Sequence, residues 1–144
     1  ELLRYISIAK EASDLHTNIF SQYLIWDYLK NNDLDAHIAK IKELYQRQAQ
    51  AMMDAMEKYF PAEVQYTKPQ GGMFLWVTLP ESISAMELFP KALERKVAFV
   101  PGDPFYVGLK DVNTMRLNYT NADCETIDEG IHRLGDLLKE LLAK

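Results

Sequence analysis

The chain has 144 residues, 48% of them hydrophobic and 26% charged, values that fit a globular domain with a core and fall short of two ordinary domains. Its net charge is −5, and no lysine or arginine cluster stands out, which argues against nucleic acid as a direct partner. The single Cys124 excludes an intramolecular disulfide framework and a cysteine-rich zinc site.

No apolar run approaches the roughly 18 to 20 residues that span a membrane, and no signal-peptide pattern opens the chain. A soluble, cytoplasmic protein without a membrane partner is expected. The segments ELLRYISIAKEASDL (1–15) and TNIFSQYLIWDYLKN (17–31) both read as helices. In the second, Ile19, Phe20, Tyr23, Leu24, Ile25, Trp26, Tyr28 and Leu29 nearly encircle the axis, as in a helix buried between larger bodies. Asp33 then offers an N-cap for a long amphipathic helix. Leu34, Ile38, Ile41, Tyr45, Met52 and Met56 mark one face of it, and Pro61 ends it.

After Pro61 the period changes from helix to strand. EVQYTK (63–68) alternates, PQGG makes a turn, and MFLWVTLP (73–80) reads as a largely buried strand. SISAMELFPKALERK (82–96) is helical, with Pro90 expected to kink or split it. VAFVP (97–101) is a short strand leading into the loop GDPFYVGLKD (102–111). In NTMRLNYT (113–120), Met115, Leu117 and Tyr119 share one face of a strand, and Thr114, Arg116, Asn118 and Thr120 share the other. A final helix carries Ile127, Ile131, Leu134, Leu138 and Leu141 on one face, capped by Asn121 or Asp123. The expected fold is α/β in the broad sense, an α+β small domain: a mainly antiparallel sheet of three to four strands with helices on one side, preceded by long connecting helices.

Few residues suggest chemistry. His16, His37 and His132 have no metal-ligand spacing with one another or with Cys124, so no metal site is expected. His16 remains a candidate because it sits in the break DLHTN, whereas His37 and His132 read as solvated helix positions. Glu125, Asp128 and Glu129 likewise read as a solvated helix face. No Gly-x-Ser-x-Gly, P-loop or dinucleotide fingerprint occurs. Arg116 is different: a guanidinium in mid-strand, with no acidic residue within reach along the strand. It is either an ordinary rim residue or a fork for a carboxylate, held rigidly by the strand. The PGDPFY loop and the GGMF turn could supply the walls of an anion-binding pocket. On the residues alone both readings stay open.

The succession QGGMFLWVTLP, KALERKVAFVPGDPFY, MRLNYTN and IDEGIHRLGDLL resembles the C-terminal part of fold-type I, pyridoxal phosphate-dependent aminotransferases. It is similar above all to the branch with 2-aminoadipate, kynurenine and aromatic aminotransferases and the transaminase-like half of MocR regulators. AKEASDLHTNIFSQ resembles the stretch just after the cofactor lysine in that branch. The resemblance implies that Arg116 binds the substrate α-carboxylate, that Phe74 lines the substrate pocket, and that Gly71 and Gly72 allow close backbone approach. It also implies that Thr17 and Asn18 approach the active site of the neighbouring subunit of a homodimer. Residues 1–31 would be interdomain and dimer-contact helices, and residues 32–144 the small domain.

The resemblance places the Schiff-base lysine, and the groups that hold the cofactor, N-terminal to this segment. Lys10, Lys40 and Lys42 lack the family's lysine context, so no catalytic residue is expected in this chain. The whole protein would use pyridoxal 5'-phosphate to exchange an amino group between an amino acid and a 2-oxo acid. This chain alone would bind no cofactor and would be inactive without the N-terminal cofactor domain. The alternatives are the ligand-sensing domain of a MocR-type transcription regulator and a free-standing small-molecule-binding module.

Overall fold

The computed structural model describes residues 2–108 and 112–143. Leu109, Lys110 and Asp111, the last part of the expected GDPFYVGLKD loop, therefore lie outside the described residues. Two compact units are present, Glu1–Lys40 and Ile41–Lys144, with the division inside a helix.

The first unit is helical. Helix α1 covers Leu2–Asp14 and α2 covers Ile19–Asn31. Asn18 caps α2, its side-chain oxygen accepting from the Ser21 backbone N–H at 3.0 Å. Helix α3, Leu34–Tyr59, begins here with Asp33, whose carboxylate accepts from the Ala36 N–H at 3.0 Å. None of the residues of α2 is buried within the chain.

The second unit holds the sheet and the core. Strands β1 (Gln65–Tyr66), β2 (Phe74–Thr78), β3 (Val100–Pro101) and β4 (Thr114–Asn118) form an antiparallel sheet in the order β1-β2-β4-β3. Helix α4 covers Ala85–Glu94, and α5 covers Cys124–Leu142. The expected mixed architecture with a four-stranded antiparallel sheet is thus present, although the edge strands are only two residues long.

One face of the sheet is apolar because strand residues alternate sides. Leu75 and Val77 of β2 and Met115 and Leu117 of β4 are almost wholly buried, as is Tyr119 just beyond. They join one cluster with Met52, Ala55 and Met56 of α3, Leu88 and Ala92 of α4, and Ile127, Ile131, Leu134 and Leu138 of α5. Burying a side chain of this size stabilises by about 1.5–3 kcal/mol. The expected apolar stripe of α3 is only half realised. Its buried residues run from Gln48 to Met56, whereas Leu34 and Ile38 are exposed, since they precede the unit that contains the core.

Pro90 lies inside α4, which runs unbroken from Ala85 to Glu94, so of the kink or split expected there the split does not occur. Proline lacks the N–H that would bond to the carbonyl of Met86, but both Met86 and Pro90 are exposed, so water can serve that carbonyl. Ser84 caps α4 by accepting from the Glu87 N–H at 3.4 Å, and Asp123 rather than Asn121 caps α5, accepting from Thr126 at 2.8 Å.

Candidate functional site

The sheet face opposite the core carries the candidate site. Arg116 stands at the centre of β4, directly across from Trp76 on β2 and from Val100 on β3. Opposed residues of an antiparallel pair project to the same side, so the three form one row. Phe74 pairs with Asn118 and is therefore the diagonal neighbour of Arg116. The guanidinium carbon lies over the Phe74 ring at 3.9 Å from its centre and over the Phe105 ring at 5.1 Å. Contacts of this kind contribute about 0.5–2 kcal/mol each, more where water is excluded.

Phe105 ends a 3-10 turn, Asp103–Phe105, that comes after β3. The turn is pinned to β4 because the Gly102 N–H donates to the Thr114 carbonyl at 2.7 Å. A side chain at Gly102 would meet the Thr114 hydroxyl and its carbonyl oxygen, so glycine is needed for this approach. Trp76 meets Phe105 edge to face with ring centres 5.3 Å apart, and Tyr106 lies 6.3 Å from Trp76. The face thus combines one fixed cation with four aromatic rings.

Among the described residues, Arg116 makes no side-chain hydrogen bond and no ion pair. It is half-buried, with its forked donors available to a planar anion. The neighbouring Phe74 and Phe105 rings hold it without competing for those donors. A carboxylate bound there would receive two parallel hydrogen bonds in a partly desolvated setting.

The structure brings two of the expected site residues together. Arg116 and Phe74 meet, and Gly72 lies two residues before Phe74 with φ +89°, a conformation that glycine adopts without strain. Nothing lies within 4 Å of where a Cβ would stand at Gly71 or Gly72, so within this chain Gly72 is needed for its dihedral and not for close approach. Thr17 and Asn18 belong to the other unit. There Asn18 has a local task as helix cap, and the Thr17 carbonyl accepts from Gln22 at 2.9 Å. His16 is exposed, and its Nδ1 lies 3.0 Å from the Thr17 carbonyl oxygen.

Two minor readings change. His132 is not simply solvated: its ring stacks on Tyr59 at 4.4 Å, and Nε2 lies 3.4 Å from Asp136. Asp128 accepts a hydrogen bond from the Tyr59 hydroxyl at 3.0 Å. The Tyr59 contacts of both residues join α3 to α5. Phe105 and Tyr106 come from the PGDPFY loop expected to supply a pocket wall, whereas the sequence does not single out Trp76, although it lies two positions after Phe74 and so on the same strand face.

An aldehyde cofactor of the pyridoxal type needs an amine for imine formation and donors for its phosphate. The residues beside Arg116 are aromatic rings and strand neighbours, and none of them supplies that amine. A guanidinium set between two ring faces can receive a planar anion such as a carboxylate.

Known aminotransferases resemble this chain over nearly its whole length. The family described as Aminotransferase class I and II matches residues 6–134. An aromatic-amino-acid aminotransferase of Thermococcus litoralis is 46% identical over 142 residues, covering 99% of this chain and 34% of that protein. The crystal structure of the α-aminoadipate aminotransferase LysN of Thermus thermophilus, complexed with N-(5'-phosphopyridoxyl)-L-leucine, superposes with a TM-score of 0.89. It is 44% identical over 99% of this chain and 36% of its own. At greater distance, the HTH-type transcriptional regulator YdcR of Escherichia coli is 32% identical over 130 residues, 90% of this chain and 28% of the regulator. The chain spans about a third of the length of the curated relatives it matches.

Proposed function

Because the chain belongs to the class I and II aminotransferase family, we propose that it is the substrate-carboxylate part of a pyridoxal phosphate-dependent aminotransferase. The whole protein would move an amino group between an amino acid and a 2-oxo acid. The observation that carries this reading is the Arg116 guanidinium, placed over two ring faces with no protein acceptor among the described residues. Arg116 holds the α-carboxylate by two parallel hydrogen bonds. Phe74 walls the same pocket, and Gly72 shapes the turn that presents it.

The chemistry of amino transfer is that of the cofactor, held by a part of the protein outside this chain. What these residues contribute is orientation: a carboxylate fixed at one end of a substrate restricts where its Cα can lie. The chain by itself is inactive in this reading. Residues 1–31 are the interdomain and dimer-contact helices, residues 32–144 the small domain. In a cytoplasmic homodimer, Thr17 and Asn18 approach the neighbouring subunit's site. The kinship with YdcR supports a second reading, in which the same carboxylate site senses a ligand for a transcription regulator.

The test compares L-phenylalanine with 2-phenylethylamine, which lacks the carboxylate, as amino donors for the whole protein. Arg116→Ala should lower kcat/KM for the amino acid by the equivalent of about 2–4 kcal/mol, roughly 30- to 1,000-fold. The kcat/KM for the amine, which reads only the half-reaction without a carboxylate, should be unchanged. Equal kinetics for the two proteins on L-phenylalanine would remove Arg116 from the site. A whole protein that binds the amino acid but returns no 2-oxo acid would favour the regulator.

A further inference from the structure

The two rings beside Arg116 differ in how they are held. Phe74 belongs to β2 and is placed by the strand, whereas Phe105 stands on a turn and needs support from elsewhere. That support comes from two directions. Trp76 presses edge to face on Phe105 at 5.3 Å with an interplanar angle of 86°. The Gly102–Thr114 backbone bond ties the start of the turn to β4 two residues before Arg116. Trp76 is itself the cross-strand partner of Arg116. Trp76, Phe105 and Arg116 therefore form a closed circuit on the sheet face, each placed by the other two and by the β2–β4 ladder.

We infer that Trp76 and Phe105 are positioning residues that act through Arg116, fixing its guanidinium before any carboxylate arrives. An arginine side chain has several freely rotating bonds, and ordering them on binding weakens a complex. Hydrogen bonds to a carboxylate or carbonyl would also fix an arginine, but such partners would occupy the donors that the substrate needs. Ring faces restrain the guanidinium and leave every N–H free. Phe105 and Trp76 thus serve the fork without touching the anion. The consequence for turnover rests on the carboxylate reading of Arg116, whereas the restraint itself does not.

The test is made on the intact, nitrogen-15-labelled protein. The Arg116 Nε–Hε resonance, identified by its loss in Arg116→Lys, should be displaced upfield by the ring currents. Phe105→Leu and Trp76→Leu should each return it toward the position of an unstacked arginine, and Phe105→Tyr should keep it in place. Phe105 is 48% exposed, so its replacement leaves the core intact.

In turnover of L-phenylalanine, Phe105→Leu should lower kcat/KM by about 3- to 10-fold in the parent protein and by nothing further when Arg116 is already alanine. Phe105→Tyr should restore the parent value. An Arg116 resonance that ignores Phe105→Leu would overturn the inference. So would an equal kinetic loss in the Arg116→Ala background, which would make Phe105 an independent pocket wall. If Arg116→Ala itself leaves kcat/KM unchanged, the carboxylate reading fails, and the resonance shifts alone decide whether the rings restrain Arg116.

Discussion

Arg116 and Phe74 sit on adjacent strands in a diagonal relation, and their side chains meet with the guanidinium carbon 3.9 Å from the ring centre. The ring is 39% exposed, so it contributes little to the core and much to the face that carries the cation. Phe74→Leu should therefore leave the thermal midpoint nearly unchanged. It should lower kcat/KM of the whole protein by about 2- to 30-fold, the equivalent of one cation–ring contact of about 0.5–2 kcal/mol. Leu75→Ala, one residue on and fully buried, is the contrast: it should cost about 2–5 kcal/mol of stability in a urea titration. If Phe74→Leu unfolds the protein as readily as Leu75→Ala does, Phe74 is a core residue and not part of a site.

The same pair shows what is legible in one dimension. The alternation of Met115, Leu117 and Tyr119 identifies the buried face of β4, and with it the side on which Arg116 must lie. The run Ile127, Ile131, Leu134, Leu138 identifies the buried face of α5 for the same reason: a repeat set by backbone geometry survives in the sequence. Local alternation overstates the edge strands β1 and β3, because it does not say how many residues find a partner across the sheet. The first turns of α3 keep an apolar stripe, at Leu34 and Ile38, that stays exposed. The ring cluster of Trp76, Phe105 and Tyr106 depends on a turn folding back over β4, and no local pattern records that.

Asp123 offers a stability test independent of the site. It caps α5 by accepting from the Thr126 N–H, and this bond holds its carboxyl below the usual aspartate range. A carboxyl whose folded-state pKa is depressed contributes stability above the ordinary aspartate pKa, and that contribution is lost as pH falls through the depressed folded value. Asp123→Ala should lower the thermal midpoint at neutral pH and converge with the parent protein under strongly acidic conditions. Asp123→Asn, which keeps an acceptor oxygen, should recover much of the loss at neutral pH. A constant difference between Asp123→Ala and the parent from neutral to strongly acidic pH would show that the charge of the cap is immaterial.

Helix α2 presents an apolar surface to water. Phe20, Tyr23 and Trp26 are 71, 66 and 57% exposed, and Ile19, Gln22, Tyr23 and Trp26 line an open groove along the helix. Among the described ring contacts, the only cation over this surface is Lys30, 5.0 Å from the centre of the Trp26 ring. A contiguous patch of this kind lowers its free energy by covering itself. The 144-residue chain prepared alone should therefore self-associate, and the mass seen in sedimentation velocity should rise with concentration. Phe20→Glu combined with Trp26→Glu places two like charges on the patch and should give monomer at the same concentrations, without loss of the fold of residues 41–144, whose core contains neither residue. A parent chain that remains monomeric at millimolar concentration would show that exposure on α2 is too divided by polar groups to drive association.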